Sequence, residues 1–255
     1  MDRCRASHKP VYRRLMPLSL SELANRFAAR LHTGPDGRSL PYRMLVPKSV
    51  ETPLPLVLLL HGAGERGEDN VAQLGNGAAE WLGSDDAQRQ FPCVFVLPQC
   101  PASARWVEVD WSAARHDMPA SPSQPLSLVQ TLIDELVATQ PIDPHRLYVV
   151  GLSMGGYGTW DLISRLPQRF AAAVPICGGG DTSQASGLVH LPLWAFHGAQ
   201  DPVVSVERSR QMIQRLRSLG GQPRYTELPE VAHDAWTAAF SHPDLRPWLF
   251  AQRRA

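Results

Sequence analysis

Lysine is almost missing from this sequence: it occurs only at Lys9 and Lys48, and arginine carries every other basic position. The formal net charge is +1, with acids and bases scattered along the 255 residues, so composition gives no support for a nucleic acid or an anionic membrane as the main partner. No run approaches the ~18 apolar residues a membrane-spanning helix requires. Met1 to Leu23 is interrupted by Arg13, Arg14, Ser19, Ser21 and Glu22, which leaves no continuous apolar core of export-signal length, and a cytoplasmic location is the expectation. Cysteine is sparse as well. Cys4, Cys93, Cys100 and Cys177 show neither metal-type pairing with histidine nor a disulfide framework; they are expected as small apolar residues, with no metal site. Repeats, low-complexity tracts and domain linkers are also missing. These absences leave a single domain, expected over residues 25–255, preceded by a poorly ordered N-terminal extension over 1–24, with a small neutral or mildly polar molecule as its partner.

What is present is an alternation of short apolar runs and helix-spaced stripes. Phe27 to His32, the turn Gly34-Pro35-Asp36-Gly37, and Leu40 to Val46 predict a leading hairpin. Further strands are predicted at Leu54 to Leu60, Cys93 to Leu97, Leu147 to Val150, Ala171 to Ile176, Leu191 to Phe196 and Arg224 to Leu228. Leu128, Val129, Leu132, Ile133, Leu136 and Val137 repeat at helical spacing, and Met212, Ile213, Leu216 and Leu219 form a second stripe ended by Gly220. Strands alternating with helices imply an α/β protein: a mostly parallel eight-stranded sheet with helices on both faces. The long connection Pro98 to Pro125 is expected to line a site.

The segment Val149-Val150-Gly151-Leu152-Ser153-Met154-Gly155-Gly156 is an apolar run ending in G-x-S-x-G, followed by a stretch that can be helical as far as Pro167. It reads as a strand, a sharp turn and a helix, the context in which the motif exposes a nucleophilic serine. Gly151 and Gly155 leave room around Ser153, while Gly156 and Gly158 let the helix approach the sheet. Taken alone, Ser153 could equally be an ordinary turn serine.

Two later loops change that balance. Asp201, in His197-Gly198-Ala199-Gln200-Asp201-Pro202, follows the seventh predicted strand, and His233, in Val231-Ala232-His233-Asp234-Ala235-Trp236, follows the eighth. Residues beyond the carboxyl ends of parallel strands converge on one edge. There the histidine would take the serine proton while the aspartate orients the imidazole. Backbone N–H groups of Met154 and of Ala63, in the loop His61-Gly62-Ala63-Gly64-Glu65-Arg66, are the expected oxyanion donors, with Gly64 the neighbour that could replace Ala63. Gly64, Glu65, Trp106 and Trp111 are candidate substrate contacts, although a local ion pair suits Glu65 and core packing suits each tryptophan, Trp160 included, at least as well. Asp181 and Glu230 compete as acids and His242 as base; His61 is expected to order its loop by hydrogen bonding.

The segments HGAGERGEDN, PQCP, GLSMGGYGTWDL, VPICGGGD, WAFHGAQDPVV and VAHDAW resemble the α/β-hydrolase family variously called predicted peptidase, prolyl-oligopeptidase-like or phospholipase/carboxylesterase-like, from about Phe27 to the C-terminus. The resemblance implies Ser153 as nucleophile, Asp201 as acid and His233 as base, no cofactor, and hydrolysis of small esters, short-chain, aryl or hydroxycinnamoyl, more readily than of peptides. Cys177 to His190 is too short to hold the lid domain that many such hydrolases insert. A small-peptide peptidase and a non-catalytic binding protein of the same fold are the competing readings.

Overall fold

A computed structural model of the chain describes residues 18–47 and 53–254; Cys4 lies outside them. The first helix, α1 (Leu20–Arg26), starts at Ser19, whose side chain accepts from the Glu22 N–H while the Glu22 carboxylate takes the Ser19 N–H. This capping box fixes the first turn and sends Leu23 into the core. The expected boundary at 24/25 therefore cuts through a packed helix, and residues 18–24 belong with the domain. The remainder of the expected extension, residues 1–17, lies outside the described residues.

The hairpin β1 (Ala28–Thr33) and β2 (Ser39–Leu45) leads into β3 (Leu54–Leu60). After α2 (Ala78–Gly83) and α3 (Asp85–Gln90) come β4 (Val94–Pro98), α4 (Gln124–Thr139), β5 (Ile142–Leu152), α5 (Met154–Arg165), β6 (Ala172–Ile176) and β7 (Trp194–Gly198). The chain closes with α6 (Glu207–Ser218), β8 (Arg224–Leu228), α7 (Ala235–Ser241) and α8 (Leu245–Ala251). The strands form an 8-stranded sheet in the order β1-β2-β4-β3-β5-β6-β7-β8. β2 runs antiparallel to both its neighbours and every other pairing is parallel.

Every residue of β3 is buried, because both faces of the sheet are covered. Leu56, Leu58 and Leu60 pack with apolar residues of α4, α5 and α6, while Val57 and Leu59 pack with those of α1, α2, α7 and α8. The predicted strands fall close to the observed ones. The seventh is displaced: Leu193 makes only an isolated bridge to Ala173, and the strand proper extends to Gly198. β5 is longer than expected, with a register irregularity opposite Leu54 and Leu56.

Between β6 and β7 a short 3-10 turn, Thr182–Leu188, tucks Ala185 and Leu188 inside, and no lid domain is present there.

Candidate active site

Ser153 occupies the joint between β5 and α5 with φ 53° and ψ −116°, a left-handed backbone that costs a non-glycine residue of order 1–3 kcal/mol. Neighbouring glycines permit it. A Cβ at Gly151 would collide with the Gly155 carbonyl, and one at Gly155 with that of Leu60. At Gly156 a Cβ would stand 2.5 Å from the Ile176 carbonyl, which is the close helix-to-sheet approach expected of that glycine. At Gly158 a Cβ would meet the Leu60 side chain of β3 at 3.0 Å, as expected of the helix-to-sheet contact, and also Trp106 Cβ at 2.8 Å, so this glycine makes room for the tryptophan as well.

Ser153, Asp201 and His233 meet. Ser153 Oγ lies 2.8 Å from His233 Nε2, and His233 Nδ1 lies 2.7 Å from Asp201 Oδ2. The Asp201 side chain is wholly buried and that of His233 about one-fifth exposed (21%). Burial works to raise the Asp201 carboxyl, but contacts from His197 and His233 and the N–H groups of Val204 and Val203 overcome it and hold the group far below the ordinary carboxylate range. Its Oδ1 accepts from Val203 N–H (2.8 Å) and Val204 N–H (2.9 Å). Because an ionised carboxylate only accepts, His233 Nδ1 carries the proton and Nε2 is left to accept from the serine hydroxyl.

The sequence reading missed two contributors. His197, fully buried on β7, places Nε2 3.3 Å from the same Asp201 Oδ2 and 3.0 Å from the Val204 carbonyl, with Nδ1 2.8 Å from Ser209 Oγ. Cys177, just past β6 with φ 48°, donates its S–H to the His233 carbonyl across 3.3 Å. A polar residue inside an otherwise apolar β7 was the available signal for His197; Cys177 gave none. Cys177, Asp201 and His233 do gather ligand-type atoms within 4.8 Å of one another. Burial, however, pushes the Cys177 thiol up to about 12, so near neutrality its sulfur is a protonated donor rather than a thiolate ligand.

The loop after β3 lies beside the serine: a Cβ at Gly62 would stand 3.6 Å from Ser153 Cβ. Ala63 opens a 3-10 turn and Met154 opens α5, first positions whose N–H finds no acceptor within its own helix. His61 orders this loop, as expected. Its Nε2 accepts from Cys100 N–H (2.9 Å), its Nδ1–H donates to the Gly62 carbonyl (2.6 Å), and burial pushes its pKa down to about 4. Gly64 is exposed with open space around it. Glu65 is turned into the loop, where Asn76 Nδ2–H donates to its Oε1 across 2.6 Å and burial raises its carboxyl.

Trp106 is a correction. It is fully buried, and its Nε1–H donates to the His61 carbonyl across 3.0 Å, so it supports the loop from beneath and cannot stack a substrate. Trp111 is half-buried, with the Arg105 guanidinium 4.4 Å from its ring centroid, and Trp160 is pure core. The competing groups stand apart: Asp181 accepts from Met118 and Ser183 N–H, Glu230 is exposed, and His242 accepts from Asp244 N–H and packs on Trp194.

The sequence model of the phospholipase/carboxylesterase family matches residues 44–242. A crystal structure of a thermostable esterase superposes with a TM-score of 0.84 at 40% identity, covering 91% of this chain and 64% of that one. NocK of Nocardia uniformis subsp. tsuyamanensis, whose name proposes an esterase, is 26% identical over 181 residues, 69% of this chain and 45% of that protein. Poly(3-hydroxyalkanoate) depolymerase C of Paucimonas lemoignei is 29% identical over 138 residues, 52% of this chain and 30% of that protein. The chain thus spans less than half the length of these two curated relatives. With the family model covering most of the chain and the sheet order, elbow and loops all in place, the chain belongs to the phospholipase/carboxylesterase family of α/β-hydrolases.

Proposed function

We propose that this protein is a carboxylesterase that works through an acyl-enzyme, with Ser153 as nucleophile, His233 as base and Asp201 as the acid that orients it. The observation that carries the reading is the continuous line from Ser153 Oγ through His233 to a buried Asp201 carboxylate, at 2.8 Å and 2.7 Å. As Ser153 attacks an ester carbonyl, Nε2 of His233 takes the hydroxyl proton, and the imidazolium that forms is stabilised by Asp201. His233 then returns the proton to the departing alkoxide. Water, activated by the same imidazole, cleaves the acyl-enzyme. The Ala63 and Met154 N–H groups are the proposed oxyanion donors; one such donor is typically worth about 3 kcal/mol of transition-state stabilisation.

The short turn between β6 and β7 supports a preference for small, soluble esters. With Trp106 buried, a preference for aryl or hydroxycinnamoyl groups rests on family likeness and on what Trp111 offers. The test is a fluorophosphonate probe followed by an ester and peptide panel. Labelling at Ser153 with turnover of short esters is expected. An unlabelled serine returns the protein to the binding-only reading, and peptide cleavage without ester turnover to the peptidase one.

A further inference from the structure

His197 is fully buried on β7, and its neighbours settle where the ring protons stand. Nε2 lies 3.0 Å from the Val204 carbonyl and 3.3 Å from Asp201 Oδ2. A carbonyl and an ionised carboxylate only accept, so Nε2 carries a hydrogen. Nδ1 lies 2.8 Å from Ser209 Oγ on α6, which in turn stands 3.2 Å from the Gly178 carbonyl. The single Ser209 proton goes to Nδ1, leaving the imidazole neutral, or to the Gly178 carbonyl, in which case the ring holds a second proton. In both arrangements Nε2–H is shared between Val204, the closer partner, and Asp201.

This hydrogen acts on the acid in two ways. Val204 gives its N–H to Asp201 Oδ1 and takes the His197 hydrogen at its carbonyl, so the ring pins the turn that cups the carboxylate. Nε2–H also stands beside Oδ2, the oxygen that faces His233 Nδ1 at 2.7 Å. Burial works to raise the Asp201 carboxyl, and among the contacts that lower it His197 comes first. A carboxylate whose charge is drawn on by one imidazole holds less strongly the proton that arrives on another.

The remaining ionisable groups around the pair do not supply this effect. Burial pushes the Cys177 thiol up to about 12 and raises the Tyr157 hydroxyl on α5, so both are uncharged near neutrality. Glu227, the β8 partner of His197, is held low by Arg210, whose Nε stands 2.9 Å from it. Asp234, next to His233, is exposed.

We propose that His197 is a positioning residue for the reaction: it fixes the Asp201 carboxylate against His233 and tempers its charge, so that the base is less basic than it would be beside an uncompensated carboxylate. The role rests on the esterase reading for its purpose but not for its geometry.

The experiment uses the full-length protein with ¹⁵N-labelled histidine, as wild type, His197→Gln and His197→Asn. In the Gln variant the amide nitrogen reaches the place of Nε2 and keeps the donor. In the Asn variant it stops at the place of Nδ1, and the donor toward Val204 and Asp201 is lost. The first readout is the wild-type NMR spectrum, in which His197 Nε2 is expected to carry a bonded hydrogen; a bare Nε2 overturns the proposal whether or not any variant folds. The second is the titration of His233 by NMR, together with the acid limb of kcat/KM for a short ester. Both are expected to move to higher pH by about half a unit or more in His197→Asn and to stay near wild type in His197→Gln. A His233 titration that stays in place, moves to lower pH, or moves equally in both variants overturns the proposal, even if Tm falls, and assigns the ring to packing. A bonded hydrogen with the expected His233 shift, but no turnover of any ester, sinks the esterase reading and leaves the positioning role standing. Ester hydrolysis with an unshifted His233 does the reverse.

Discussion

His233 Nδ1 and Asp201 Oδ2 face each other across 2.7 Å, and this one contact decides which nitrogen of the imidazole is free for Ser153. The carboxylate is in turn held from its other side by the Val203 and Val204 N–H groups and by His197. Together these contacts overcome the burial that works to raise it and hold the carboxyl far below the ordinary carboxylate range.

Asp201→Asn is expected to fold normally and to lose ester turnover by on the order of a thousand-fold or more, since the amide cannot stabilise an imidazolium and can donate to the wrong tautomer. Asp181→Asn, tested beside it, is expected to stay near wild type. An active Asp201→Asn with an inactive Asp181→Asn places the acid after β6 instead.

Ser153→Ala is expected to reduce turnover by on the order of a thousand-fold or more with the circular dichroism spectrum unchanged. Both residues carry a Cβ, so the elbow geometry is not relaxed by the change. Near-normal hydrolysis by a folded Ser153→Ala protein rules out the serine as nucleophile.

His233→Ala should be as damaging as the serine change, whereas His242→Ala should affect turnover mildly, because His242 caps a turn and packs on Trp194. Turnover by the wild type should also fall on acidification, as a protonated imidazole cannot accept the serine proton. A reversed ranking of the two mutants disproves the base assignment.

His61 links pH to stability. Its pKa is about 4 in the folded protein, against ~6.5 for an unperturbed histidine. Between those values the unfolded chain binds the extra proton, so stability falls as the pH drops through this window, by about 3 kcal/mol in all from this group. His61→Gln keeps a donor and an acceptor but does not titrate. Its Tm should decline less than that of the wild type between pH 7 and pH 4; parallel curves would show that His61 does not carry the effect.

Emulsified long-chain lipid should be hydrolysed poorly, with no jump in rate when an interface forms, because the segment between β6 and β7 is a 3-10 turn and not a movable lid. Comparing soluble short esters with an emulsion under one set of conditions checks this. A sharp interfacial activation contradicts it.

The sequence by itself determined the sheet, the elbow and the three strand-end loops. Those features depend on local patterns: β-like apolar runs, glycines where a Cβ would collide with backbone, and polar residues just past buried strands. Local pattern was also sufficient for the shortness of the β6–β7 connection. It failed for Trp106, since a tryptophan in a long irregular segment has the same spacing whether it faces a ligand or, as here, fills the space above Gly158 and bonds the His61 carbonyl. Only the tertiary structure decided that His197 and Cys177 flank Asp201 and His233 and that, among the described residues, Arg208 is buried without a carboxylate. Those facts depend on contacts between residues as far apart as His116 and Arg208. Burial and charge compensation are properties of the assembled neighbours, and no periodicity along the chain encodes them.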